Sequence, residues 1–168
     1  STTRTATSAG TLYVASNDTN YTDNSGFVRA AFELLPSTSP KIWLGGTLGF
    51  ETSADINQNW VGGRPFKGES VVFDSAAYHC DWNIPNAALA SLFVSTAYTK
   101  TVRLTPPSFQ IVNRLLVEGD ATIRGGLFSV GLSSMGQTNS FTVKGKLVVR
   151  DTAAFDAGGS TLEIGVGM

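Results

Sequence analysis

Two aspartates at matching places in similar stretches are the first candidates for chemistry in this sequence. Asp120 follows Leu115-Leu116-Val117, and Asp151 follows Leu147-Val148-Val149. Polysaccharide cleavage requires paired carboxylates at a set separation, or an acidic calcium cluster beside Arg or Lys. Both aspartates stand at turn positions, where Asp commonly bonds the local backbone, so their expected role is structural. Glu118 and Arg150 are equivalent in the same way, at an offset of 32. That spacing predicts a charge pair between neighbouring repeats; an exposed pair contributes about 0.2–1 kcal/mol.

His79 and Asp81 alternate along one strand face, which invites a catalytic reading. No nucleophile elbow and no second histidine accompany them, so a solvated face is the expectation. Tyr78, Cys80 and Trp82 alternate onto the opposite face. Cys80 is the one cysteine, so it has no disulfide partner within the chain, and a buried thiol is expected. Asp18, Asn20, Thr22 and Asp23 begin like a calcium loop, but Asp23 replaces the sixth-position glycine and Arg29 the twelfth-position glutamate. The sequence therefore implies no EF-hand, and no metal or cofactor is expected, with a calcium site of another kind at Asp18 and Asp23 as the alternative. Asn17-Asp18-Thr19 and Asn20-Tyr21-Thr22 are glycosylation sequons in a loop-like stretch, which makes Asn17 and Asn20 candidate acceptors. Trp43, Trp60 and Trp82 could stack on sugars, but packing over the first repeat is the simpler role for Trp43 and Trp60.

The elements that must position these groups are strands. The 168 residues suffice for one main domain with a real core. Only 15% are charged and the net charge is -1, while Gly, Ser and Thr abound, a β-rich composition. Basic residues neither outnumber the acids nor cluster, which argues against a nucleic-acid partner. No run of about 18 apolar residues occurs, so no membrane-spanning helix is expected. The chain opens at Ser1 without an initiator Met, which suggests a secreted product, extracellular or on the cell surface, whose targeting segment was removed.

Residues 1–40 read as an N-terminal arm and cap segment, and 41–168 as the main domain. The Thr-rich start has little to bury, and Phe27-Val28-Arg29-Ala30-Ala31-Phe32-Glu33-Leu34-Leu35 spaces apolar residues as one short capping helix before Pro36. From Lys41 onward the chain is strand and turn. Leu115-Leu116-Val117 through Gly125-Gly126 matches Leu147-Val148-Val149 through Gly158-Gly159 at an offset of 32 to 33, and Phe128-Ser129-Val130-Gly131 matches Leu162-Glu163-Ile164-Gly165 at 34. Short alternating strands recurring with a period of about 20 to 50 residues mark a stacked repeat architecture. Asn-Gly and Asp-Gly hairpin turns are missing, which disfavours a sandwich. The predicted fold is an all-β parallel β-helix, with Val117 over Val149, Ile123 over Phe155 and Val130 over Ile164 in its core.

Lys41-Ile42-Trp43-Leu44-Gly45-Gly46, Asn59-Trp60-Val61-Gly62-Gly63-Arg64-Pro65 and Gly68-Glu69-Ser70-Val71-Val72-Phe73-Asp74 together resemble the entry motif of autotransporter-type bacterial surface-protein β-helices. The stretches after it, from Cys80-Asp81-Trp82 to Leu104, resemble the first rungs of those proteins. The resemblance covers about residues 41–168 and implies fold and location. Its members are mostly passengers, adhesins and scaffolds, so it names no ligand.

The function expected from these features is non-enzymatic: a self-assembling β-solenoid subunit of an extracellular filament or scaffold. A glycan-binding or glycan-cleaving β-helix is the alternative. The partner is a second copy, with a glycan or cell surface as a further candidate. The alternating C-terminal residues Leu162, Ile164, Val166 and Met168 offer one interface. The arm carrying Thr2, Thr5, Thr7, Thr11, Leu12, Tyr13 and Val14 offers the other, as a strand added to a neighbour's edge.

Overall fold

A computed structural model describes residues 38–106, 112–131 and 138–165. It is a parallel β-solenoid of about four coils, each coil contributing one short strand to each of three sheets. The chain enters through β1 (Lys41–Trp43) and β2 (Trp60–Val61). The first coil is β3 (Ser70–Phe73), β4 (Cys80–Trp82) and β5 (Ala87–Leu89). The second is β6 (Ser91–Val94), β7 (Thr101–Leu104) and β8 (Val112–Val117). Then come β9 (Ala121–Ile123), β10 (Leu127–Ser129) and β11 (Thr138–Val143), and last β12 (Leu147–Val149), β13 (Ala154–Asp156) and β14 (Thr161–Ile164).

Alternation sends every second side chain inward. In Ser91–Val94, Leu92 and Val94 are buried while Ser91 and Phe93 face outward. Register stacks the inward residues in columns. Phe73, Val94, Ile123 and Val149 form one column on the first sheet. Cys80, Val102, Phe128 and Phe155 form a second, and Leu115, Phe141 and Leu162 a third. The rings of Phe128 and Phe155 lie nearly parallel, with centroids 5.9 Å apart.

The register differs from the sequence expectation. Val117 stacks on Val143 and Val143 on Ile164, Val149 on Ile123, and Phe155 on Phe128, so none of the three predicted pairs forms. The offset of 32 to 34 matched residues on different sheets, because one short apolar strand looks like another. The true step varies: Ser70 to Ser91 is 21 residues, bridged by their hydroxyls at 2.8 Å, and Leu92 to Ala121 is 29. The charge pairing changes accordingly. Glu118 meets Lys144 at 2.5 Å, and Arg150 lies 3.8 Å from Asp151. Asp120 and Asp151 do not stack. Asp120 accepts the Lys146 amide at 2.8 Å, and Asp151 accepts Arg124 at 2.6 Å.

The resemblance-bearing segment closes the N-terminal end. β2 runs antiparallel to β1, which turns the sheet edge away from further parallel stacking. Trp43, Trp60 and Trp82 are buried, and edge-on contacts of 4.9 Å (Trp43–Trp60) and 5.9 Å (Trp60–Trp82) fill that end. No tryptophan platform therefore faces solvent. Asn59 is fully buried and stitches the cap: its amide donates to the carbonyls of Phe50 (2.7 Å) and Ser53 (2.9 Å), and its Oδ1 accepts the Thr47 amide (2.9 Å). Gly45, at φ 67°, is required by proximity, since a Cβ there would lie 2.7 Å from the Tyr78 Cβ. Tyr78 itself precedes β4 and is 41% exposed, so it does not share the buried face of Cys80 and Trp82.

At one corner two asparagines stack, Asn113 on Asn139. Asn113 donates to the carbonyls of Trp82 (2.7 Å) and Thr105 (3.1 Å). Asn139 donates to those of Leu104 (3.0 Å), Val130 (3.1 Å) and Gly131 (2.9 Å). Carbonyls that leave the sheet ladders at the corner are thus satisfied by side chains. The expected capping helix over 27–35 lies outside the described residues.

Candidate functional site

Two features of the surface stand apart from the regular ladders: a polar groove on the second sheet, and the two ends of the solenoid. The groove arises because the segment around Ser53 joins the sheet as a parallel bridge to Asp81, extending it one layer beyond β4. Thr52, His79, Asp81, Thr101 and Arg103 line a depression of about 270 Å³, with Cys80 beneath.

Register sets Arg103 directly opposite Asp81. The guanidinium donates to Asp81 Oδ1 through Nη2 (2.5 Å) and Nε (3.1 Å), and Thr52 Oγ1 donates to Oδ2 (2.7 Å). His79 Nδ1 accepts the Thr101 amide at 3.0 Å. His79 and Asp81 thus share the outer face, as their alternation predicts, but each is held by a different neighbour. Sequence reasoning did not reach Thr52, Thr101 and Arg103. The step of 22 residues from Asp81 to Arg103 was the available signal.

Cys80 and Tyr98 lie on the inner side, both fully buried. Burial pushes the Cys80 thiol well above its ordinary range, with the neighbouring Asp81 charge adding to the effect. Tyr98 is raised for the same leading reason, and its hydroxyl lies 3.0 Å from the Tyr78 carbonyl. At the cap, hydrogen bonds from its own amide and that of Gly49 lower the Glu51 carboxyl.

The large apolar side chains that stay exposed among the described residues fall at the two ends. Leu44, Leu48, Phe50, Val61 and Phe66 belong to the N-terminal cap, with Tyr78 against it, and Val149 and Ile164 to the last coil. Exposure reaches 92% at Leu48 and 50% at Ile164, whereas the inward residues of the second and third coils are buried. β12, β13 and β14 each pair on one side only among the described residues.

Of the residues expected at a subunit interface, Leu162 lies half-buried on β14 and Ile164 is exposed. Thr2, Thr5, Thr7, Thr11, Leu12, Tyr13, Val14, Val166 and Met168 lie outside the described residues, as do the sequons at Asn17 and Asn20 and the calcium-like stretch from Asp18. No protein-family model, curated protein or solved structure matches this chain.

Proposed function

We propose that the chain is a non-enzymatic, extracellular structural subunit that associates with copies of itself end to end. The observation that carries this reading is the segregation of exposed apolar side chains to the two ends. Exposed Leu, Val, Ile and Phe surface in such concentration marks association sites. The coil of β12, β13 and β14 adds a second driving force, since among the described residues each of its strands pairs on one side only and leaves the other edge for an incoming strand. The antiparallel β2 at the other end is no match for that edge, so the contact joins unlike surfaces and propagates rather than closing as a symmetric pair.

Strand addition by the arm Thr2–Val14 of a neighbour supplies the main-chain bonds in this reading, with Leu12 and Val14 as alternate side chains over the exposed ends of the columns. The resemblance to bacterial surface-protein β-helices agrees with an extracellular scaffold. Cleavage chemistry finds less support. Asp81 and Asp156 share one outward column, but Arg103 and Ser129 intervene. Three strand spacings put the two carboxylates about 14 Å apart, beyond the roughly 5–9.5 Å of glycosidase pairs.

Sedimentation velocity and negative-stain microscopy test the proposal on three proteins: the full chain, a form lacking residues 1–14, and Val149→Lys/Ile164→Lys. Concentration-dependent linear assembly of the full chain, abolished in both variants, is the expected result. A full chain that stays monomeric at high concentration, or variants that assemble unchanged, would overturn it.

A further inference from the structure

The groove on the second sheet holds an imbalance between donors and acceptors. Asp81 is the carboxylate in it, and both of its oxygens are engaged, Oδ1 by Arg103 and Oδ2 by Thr52. Arg103 has five N–H groups, of which two are used on Asp81. Its side chain remains 61% exposed, and among the described residues the other three have no hydrogen-bond partner. His79 adds another donor. Its Nδ1 accepts from the Thr101 amide, so in the neutral ring the proton must sit on Nε2.

We propose that this groove binds an oxyanion, specifically the carboxylate of a small polar molecule. The donors are held in place before any ligand arrives. Nε and Nη2 together fix the plane of the guanidinium against Asp81, and the Thr101 amide fixes the imidazole. A planar fork with free N–H groups matches a carboxylate in two-point geometry, which a lysine ammonium would not. Asp81 cancels the formal charge of Arg103, so the selectivity arises from hydrogen-bond donors and not from net charge. Such a site takes a monoanion and gains little from a dianion. The Thr101 position, one strand beyond His79, borders the site with a further polar side chain. The groove opens on the outward face of the second sheet and borders the N-terminal cap, with Thr52 two residues from the exposed Phe50 and His79 next to Tyr78.

His79 is the only histidine, so its ring gives a single resolved set of signals in long-range ¹H–¹⁵N spectra of the full chain. Those spectra first report the tautomer, with protonation at Nε2 expected in the neutral ring. Titrations with acetate, D-glucuronate and D-glucose then separate the ligand classes. Saturable shifts of the His79 signals with both carboxylates and none with glucose support the site. Glucuronate binding at least tenfold tighter than acetate identifies a sugar acid as the source, and equal affinities identify a free carboxylate. Arg103→Gln should weaken carboxylate binding at least tenfold, and Thr52→Val, which leaves Arg103 in place, should weaken it less. Should Arg103→Gln melt early, His79→Gln carries the same test, followed on the Arg103 side-chain signals. Glucose shifts equal to those of glucuronate, no shift with any probe, or full affinity in both Arg103→Gln and His79→Gln would overturn the assignment.

Discussion

Replacing Asn139 with leucine tests whether the corner asparagines hold the coils together. Leucine is close in size and keeps the site filled, so the change isolates the hydrogen bonds. Asn139 is 1% exposed and serves the carbonyls of Leu104, Val130 and Gly131. Val130 retains the Ser160 hydroxyl at 2.6 Å, so the loss falls on the other two. A buried carbonyl stripped of its donor costs about 1–3 kcal/mol. One term opposes this: Asn139 Oδ1 has no partner, and deleting an orphan acceptor returns about 1–2 kcal/mol. With mid-range values, about 2 kcal/mol for each carbonyl against about 1.5 for the orphan acceptor, the net destabilisation is about 2.5 kcal/mol, read as a lowered urea midpoint with an unchanged slope by circular dichroism. Asn139→Asp should do far worse, because a carboxylate would face carbonyl oxygens in a buried site. A leucine variant within about 0.5 kcal/mol of the parent, or an aspartate variant as stable as leucine, would refute the reasoning.

Gly126→Ala should destabilise by several kcal/mol and lower the melting temperature sharply, because the added Cβ would lie 2.2 Å from the Lys100 carbonyl oxygen at φ 62°. Val143→Asp should abolish folding while Val149→Asp leaves a folded protein, since Val143 is fully buried and Val149 is 40% exposed; circular dichroism of the pair decides it. Cys80 and Tyr98 ionise less readily in the fold than their ordinary values of 9.0 and 10.0. Their contribution is therefore fully present below those values and is lost as pH rises above them, at about 1.4 kcal/mol per pH unit for each group. The melting temperature should fall from about pH 9 upward, and Cys80→Ala should move the onset toward pH 10. In the native protein Cys80 should resist a thiol reagent until unfolding.

The alternation of Ser91-Leu92-Phe93-Val94 and Thr101-Val102-Arg103-Leu104 was legible because a period of two survives in strands of four residues. Stacked coils were legible too, but their register was not. Leu147-Val148-Val149 resembles Leu115-Leu116-Val117 in composition, yet the first belongs to the first sheet and the second to the third. Unequal corners between strands shift the step from 21 to 29 residues, and no single offset captures that. Asn113 and Asn139 carried a truer signal, sharing the 26-residue step of Val117 and Val143. Of the five outer side chains of the groove, only His79 and Asp81 were legible as sharing one solvated face, because they alternate locally. Arg103 and Thr52 arrive from neighbouring layers, and only the register brings them there.

The unequal filling of the two ends implies a direction to folding. Trp43, Trp60, Phe73, Trp82 and Tyr98 concentrate their rings beneath the cap, whereas the last coil leaves Val149 and Ile164 half in water. In a stack where each layer rests mainly on its neighbours, stability then declines along the axis. Amide exchange should be slowest near β3 and quickest at β14, with each coil forming on the one before it. On that expectation the N-terminal aromatic knot would seed the solenoid, and the coil that ends at Ile164 would form last.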